Sequence, residues 1–151
     1  MGWSYVTADL NKLTTELKNK ADKFIEMCKN TGISVIIYNT YRTKEEQAAL
    51  YLQGRATLET VNGARKQAGL LPITEKENVI VTQLKDSPHC HGLAFDFVPL
   101  VSGKPAWDNE LLWQRCGSIV RTLGLEWGGD WKDFPDKPHV QIKDWKKYKE
   151  I

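Results

Sequence analysis

The chain holds only three histidines, and all of them fall in two short segments rich in Asp, Gly and Pro. The first segment is Ser87-Pro88-His89-Cys90-His91-Gly92-Leu93-Ala94-Phe95-Asp96, and the second is Asp133-Phe134-Pro135-Asp136-Lys137-Pro138-His139. Two His and one Asp make the three-ligand set of a catalytic zinc site, in which water takes the fourth position. A fold that uses this set must bring the two segments together. Gly92 permits a tight turn after His89. A strand over Leu93 to Val98 would place Asp96 on the face opposite Phe95 and Phe97, which would pack into the core. In an extended run His89 and His91 point the same way, so the residues alone leave both as candidate ligands.

Asp136 lies three residues before His139, with Pro138 stiffening the connection. That spacing lets one residue bind metal while a nearby carboxylate holds the water whose pKa zinc lowers toward ~7. Such a carboxylate can take the water's proton and deliver it to a leaving amine. Asp133 is the rival for this role, although a solvated loop residue is its commoner use. A positive group is also needed to stabilise the oxyanion. Arg42, between an apolar strand and a capped helix, is placed in the sequence to supply it; otherwise it is a surface Arg near a helix start.

The rest of the chain supplies a frame. Leu10, Leu13, Leu17, Ala21, Phe24, Ile25 and Cys28 recur at helical spacing, which predicts an amphipathic helix over about residues 8–30 that Thr31-Gly32 stops. Ile33 to Tyr38 reads as a strand buried on both faces. Thr43-Lys44-Glu45-Glu46 has the capping-box pattern and opens a helix that runs to about Gln53. Residues 55–78 form a long polar connection, a loop or lid in which Glu59 to Lys66 suits a short helix. Val79 to Thr82 and Leu93 to Val98 read as strands, and Trp107 to Leu123 as a helix closed by Gly124. Leu125 to Trp127 and His139 to Ile142 read as two final strands. The pattern is α+β in one domain over residues 1–151: a small, mainly antiparallel sheet with helices packed on it.

Bulk properties narrow the partners. A net charge of +2 makes no case for nucleic acid. The three cysteines, Cys28, Cys90 and Cys116, are odd in number and widely spaced, so no disulfide framework or cysteine metal site is expected. Cys90 reads as an inert small residue rather than a nucleophile. No apolar run approaches the roughly 20 residues that span a bilayer, so no membrane insertion is expected. Met1 to Val6 lacks the basic and apolar regions of a signal peptide. Trp107, Trp113, Trp127 and Trp131 suit core packing and cleft walls better than sugar stacking. The tail from Lys143 to Glu150 reads as a solvated end.

Four ordered blocks resemble one family. Ser87-x-His89-x-x-Gly92-x-Ala94-x-Asp96 is similar to the SxHxxGxAxD signature of the D-Ala-D-Ala carboxypeptidase and VanY-type metallopeptidases, and Asp136-x-Pro138-His139 to their second motif. Tyr41-Arg42-Thr43, Gln47, Leu50-Tyr51 and Gly54-Arg55 resemble the family's upstream block, and Leu123 to Trp131 its LGLEWGGDW segment. Within the family the chain looks most like the small L-alanyl-D-glutamate endopeptidases of phage endolysins and bacterial autolysins. The long 55–78 segment departs from the short link expected there.

The resemblance implies a hedgehog/DD-peptidase-like fold and one zinc ion bound by His89, Asp96 and His139. It implies Asp136 as general base and acid, Arg42 at the scissile carbonyl, and Ser87 and Gln47 as substrate-positioning residues. The implied substrate is the peptidoglycan stem peptide, cut between L-Ala and D-Glu. The expectation is a monomer made in the cytoplasm that reaches the wall by holin-type release. A D-Ala-D-Ala carboxypeptidase or dipeptidase with the same site is the alternative, and a non-catalytic zinc-binding module is a remoter one.

Overall fold

Helix α1 (Thr15–Asn30) owes its start to a side chain: the Thr14 hydroxyl accepts from the Leu17 N–H at 3.3 Å. Leu17, Ala21, Phe24 and Cys28 make its buried stripe. The single helix expected over residues 8–30 is therefore two elements. Asp9 caps a separate 3-10 turn over Leu10–Lys12, because each of two capping side chains begins its own turn. The structure is a computed structural model and describes residues 8–148. The signal-peptide reading of Met1 to Val6, and the end of the basic tail, lie outside the described residues.

The chain divides into two compact units. The first contains the chain up to Tyr41 and from His91 onward, and is built on an antiparallel sheet. Its strands are β1 (Ser34–Asn39), β2 (Ala94–Val101), β3 (Lys104–Pro105), β4 (Glu126–Trp127) and β5 (His139–Gln141), in the order β1-β2-β5-β4, with β3 also paired to β2. Strand β1 is an edge strand whose only buried residue is Ile37, so it is not buried on both faces as its composition suggests. The central strand β2 takes that role instead, with six consecutive buried residues from Ala94 to Pro99. Ser102 and Gly103 both have positive φ and turn β2 tightly into β3.

Helices α1 and α4 (Glu110–Thr122) cover this sheet; α4 begins three residues later than expected, where the Asn109 side chain caps it. Phe24, Phe97 and Trp113 meet edge to face, with centroids 4.8 and 5.3 Å apart, and Phe95 joins them. Trp127 is another large buried ring. Gly117 of α4 and Gly129 lie so close to it that a Cβ at either position would overlap the indole. Trp145 is also buried, so the tail is not solvated throughout.

The second unit, Arg42–Cys90, contains α2 (Lys44–Leu52) and α3 (Leu58–Gln67). The capping box of α2 forms as its sequence predicts, and Thr57 caps α3. Ala49 and Val61 are fully buried in this unit. The 55–78 segment is thus largely a helix and a fixed return rather than a bare loop. Asn62 accepts from the Ile73 N–H at 2.9 Å and donates to the Ile73 carbonyl at 3.0 Å. Val79 to Thr82 forms no strand, and Val79, Ile80 and Val81 are exposed. β-branched composition needs a partner strand to become a ladder. Here side chains hold the segment: Asn78 accepts from the Gly54 N–H, and Gln47 donates to the Leu84 carbonyl.

Candidate metal centre and active site

In the first unit, the pairing of β2 with β5 sets Asp96 directly opposite His139. Phe95 and Phe97 point to the core, so the alternation of the strand turns Asp96 to the other face. The Asp96 Oδ1 and His139 Nδ1 atoms are 3.4 Å apart, and both residues are buried. A β-bulge between Ile37 and Asn39 brings Asn39 into register with Asp96. Its side-chain amide donates to Asp96 Oδ2 at 3.0 Å.

Gln141 sets the state of the imidazole. Its amide nitrogen donates to Glu126 at 3.2 Å, which fixes the amide orientation and aims Oε1 at His139 Nε2, 2.7 Å away. With Nε2 carrying the proton, the Nδ1 lone pair faces Asp96. Burial alone would lower the His139 pKa, but the hydrogen bond and charge of Asp96, aided by Gln141 and Asp136, outweigh it and raise the pKa. A carboxylate oxygen and an imidazole nitrogen held this way are donors that zinc takes.

Asp136 is half-buried, and the backbone holds it in place. Its N–H donates to the Gly128 carbonyl at 2.9 Å, and its own carbonyl accepts from the His139 N–H at 3.2 Å. Gly128 has no room for a side chain, since a Cβ there would overlap the Asp136 carbonyl and crowd the His139 side chain. Trp127 donates to the Lys137 carbonyl at 2.6 Å and pins the far side of the same loop. Trp131 tilts over the His139 ring at 5.2 Å and donates to Glu126. Asp133 is exposed. Asp96, Asp136 and His139 are thus brought together within one unit.

Arg42, Gln47, Ser87 and His89 form the other group, in the second unit. Arg42 Nη1 donates to Gln47 Oε1 at 2.8 Å, and the Arg42 N–H donates to the His89 carbonyl at 3.2 Å. Gln47 is fully buried, which explains why its amide is tied off at Leu84. The Ser87 hydroxyl accepts from the His89 N–H at 3.2 Å in the 3-10 turn Pro88–His91, and Ser87 and His89 are both buried. His91, the rival ligand, lies in the first unit with its ring stacked on Trp145 at 5.8 Å. Burial pushes the Cys90 thiol up, which suits an inert residue.

Asn39, Gln141, Glu126 and Gly128 were not anticipated from the sequence. Gln141 carried a signal, because it lies two residues after His139 in a strand and so shares its face. Asn39 carried none, since its position depends on the bulge.

Residues 82–142 match the family model described as D-alanyl-D-alanine carboxypeptidase. Over 147 residues the chain is 33% identical to the peptidoglycan L-alanyl-D-glutamate endopeptidase CwlK of Bacillus subtilis, covering 91% of this chain and 75% of that protein. It is 32% identical over 140 residues to the L-alanyl-D-glutamate peptidase of a Listeria phage, covering 93% of this chain and 41% of the phage protein. Among solved structures, the L-Ala D-Glu endopeptidase ChiX of Serratia marcescens has a TM-score of 0.60 at 18% identity, covering 96% of this chain and 92% of that one. The vancomycin resistance D,D-pentapeptidase VanY, in complex with Zn(II), has a TM-score of 0.53 at 17% identity, covering 92% of this chain and 79% of that one. At these identities the two structures establish likeness of fold.

Fold and site together define a metallopeptidase. The chain belongs to the D-alanyl-D-alanine carboxypeptidase family of zinc-dependent peptidases. Among the described residues, no helix is long and apolar enough to cross a membrane.

Proposed function

We propose that this protein is a zinc-dependent peptidoglycan endopeptidase that hydrolyses the bond between L-Ala and D-Glu in the stem peptide, with residues 1–151 acting as one catalytic unit. The observation that carries the reading is the buried Asp96–His139 pair with Asp136 anchored beside it. The names of the two relatives above 30% identity support the choice of bond. His89, Asp96 and His139 hold the ion. Bound there, zinc supplies Lewis acidity to the attacking water and to the scissile carbonyl. Asp136 takes the proton of that water and returns it to the leaving amine of D-Glu. Arg42, braced by Gln47, donates hydrogen bonds to the carbonyl oxygen as it gains charge. Ser87 orders the turn that carries His89. The enzyme works as a monomer at the bacterial cell wall, after holin-type release from the cytoplasm.

The description of the matching family favours a second reading, a D-alanyl-D-alanine carboxypeptidase. Digestion of purified wall or synthetic stem peptides, with and without a chelator, separates the two by mass spectrometry of the products. A new N-terminal D-Glu is the expected result. Release of D-Ala without it would replace the endopeptidase reading with the carboxypeptidase one.

The raised His139 pKa gives a pH signature. In the metal-free protein the protonated ring contributes stability below its unfolded value of about 6.5, and this is lost as pH rises through the higher folded value. Zinc requires the unprotonated ring, so its affinity should run the other way. It should be full above the folded value and fall at least about tenfold for each pH unit below it. Competition with a chromophoric chelator across pH measures this, and a flat affinity would remove His139 from the ligand set.

A further inference from the structure

The second unit contains a depression of about 530 Å³ whose lining includes Arg42, Arg65, Leu50, Ile73, Val79 and Val81. Two arginines therefore line one hollow whose walls are partly apolar. Arg65 comes from α3, inside the 55–78 segment, and it is held in place. Its Nε donates to the Leu71 carbonyl at 2.6 Å and its Nη1 to Gln53 Oε1 at 3.0 Å. A guanidinium has five N–H donors, so the bonds that fix Arg65 leave others for a ligand. Glu77 also lines the hollow, but its carboxylate is turned into its own cap, where Oε1 accepts from the Thr74 N–H and hydroxyl at 2.9 Å. A preorganised Arg beside apolar walls is suited to a carboxylate on a small aliphatic residue.

We propose that Arg65 is a specificity-determining residue that binds the free α-carboxylate of the D-Glu residue following the scissile bond. The proposal rests on the endopeptidase reading above. Stem-peptide D-Glu is joined onward through its side-chain carboxyl, which leaves the carboxylate on its α-carbon unlinked. That group is attached to the carbon bearing the scissile nitrogen, and so lies within a few bonds of the carbonyl assigned to Arg42. With both Arg42 and Arg65 lining the hollow, one guanidinium meets the carbonyl and the other the neighbouring carboxylate. The 55–78 segment then has a role: it supplies the group that distinguishes an acid from its amide at this position.

The test compares two synthetic stem peptides, one with D-Glu and one with its α-amide, D-isoglutamine. Wild-type enzyme should favour the acid by about tenfold or more in kcat/KM, the scale of one hydrogen bond to a charged group. Arg65→Gln should lose that preference through a higher KM for the acid, with the amide substrate unaffected. Arg65→Lys should restore part of the preference, and Glu77→Gln should increase it. An equal fall on both substrates would show that Arg65 only supports the fold, and an unchanged ratio would show that it does not meet the carboxylate. Either result overturns the proposal while leaving the endopeptidase reading intact. If wild-type enzyme cuts neither peptide between Ala and Glu, the endopeptidase reading fails and this proposal fails with it.

Discussion

Asp136→Ala should lower turnover on stem peptides by about 10²–10⁴, the range of a lost general acid–base group, while zinc content stays at one ion per chain. Two properties of the loop make the separation clean. Asp136 is positioned by its backbone, through the Gly128 carbonyl and the His139 N–H, so removal of the carboxylate leaves those bonds in place. The ligand pair, in turn, is ordered by groups outside the loop: Asn39 on Asp96 and Gln141 on His139. The variant should therefore load zinc and bind substrate, yet fail at proton transfer. Metal analysis beside single-turnover kinetics would read both. Persistent hydrolysis would mean that another group is the base, and loss of zinc would move Asp136 into the ligand set. Asp133 is exposed and serves as the control, since its replacement should change turnover little.

Arg42→Ala should lower turnover by about 10²–10³, as loss of an oxyanion donor does, again without loss of zinc. The bond to Gln47 matters here because a guanidinium that must be ordered during the reaction contributes less than one already in place. Gln47 is buried and bonded to the Leu84 carbonyl, so it transmits the order of the second unit to Arg42. Gln47→Ala should therefore lower turnover by less than Arg42→Ala does. Arg42→Lys should recover only part of the loss, because an ammonium lacks the planar fork that engages Gln47 and the substrate together. Equal loss of zinc and of activity in Arg42→Ala would point instead to a role in folding.

The pairing of Asp96 with His139 was legible in the sequence because its chemistry is rare and local. Three histidines near Asp, Gly and Pro leave few arrangements, and the alternation of Phe95, Asp96 and Phe97 shows which face carries the carboxylate. The helices were legible where a cap and an apolar stripe agree, as at Thr43 and along Leu17, Ala21, Phe24 and Cys28. Reading failed where long-range pairing decides the outcome. Val79 to Thr82 has strand composition but gains no partner, and Ile33 to Tyr38 has the look of a buried strand but lies at the sheet edge. Neither fact is contained in a local window. Asn39 reaches Asp96 only because of a bulge, and Gly128 is constrained only because the chain returns to it at Asp136. Supporting residues of this kind are fixed by the fold and leave little trace in spacing.

The register of β2 with β5 also sets a timetable. Asp96 lies in mid-sequence, whereas the imidazole opposite it arrives on the last strand. Chains emerge from the ribosome N-terminus first, so a nascent polypeptide that has not reached residue 139 carries the Asp96 carboxylate without the imidazole that lies opposite it. Neither the Asp96–His139 pair nor the Asp136 loop exists until that final strand docks. Wall-degrading capacity is therefore withheld until β5 has been made and docks, and a prematurely terminated product that lacks β5 would be inert.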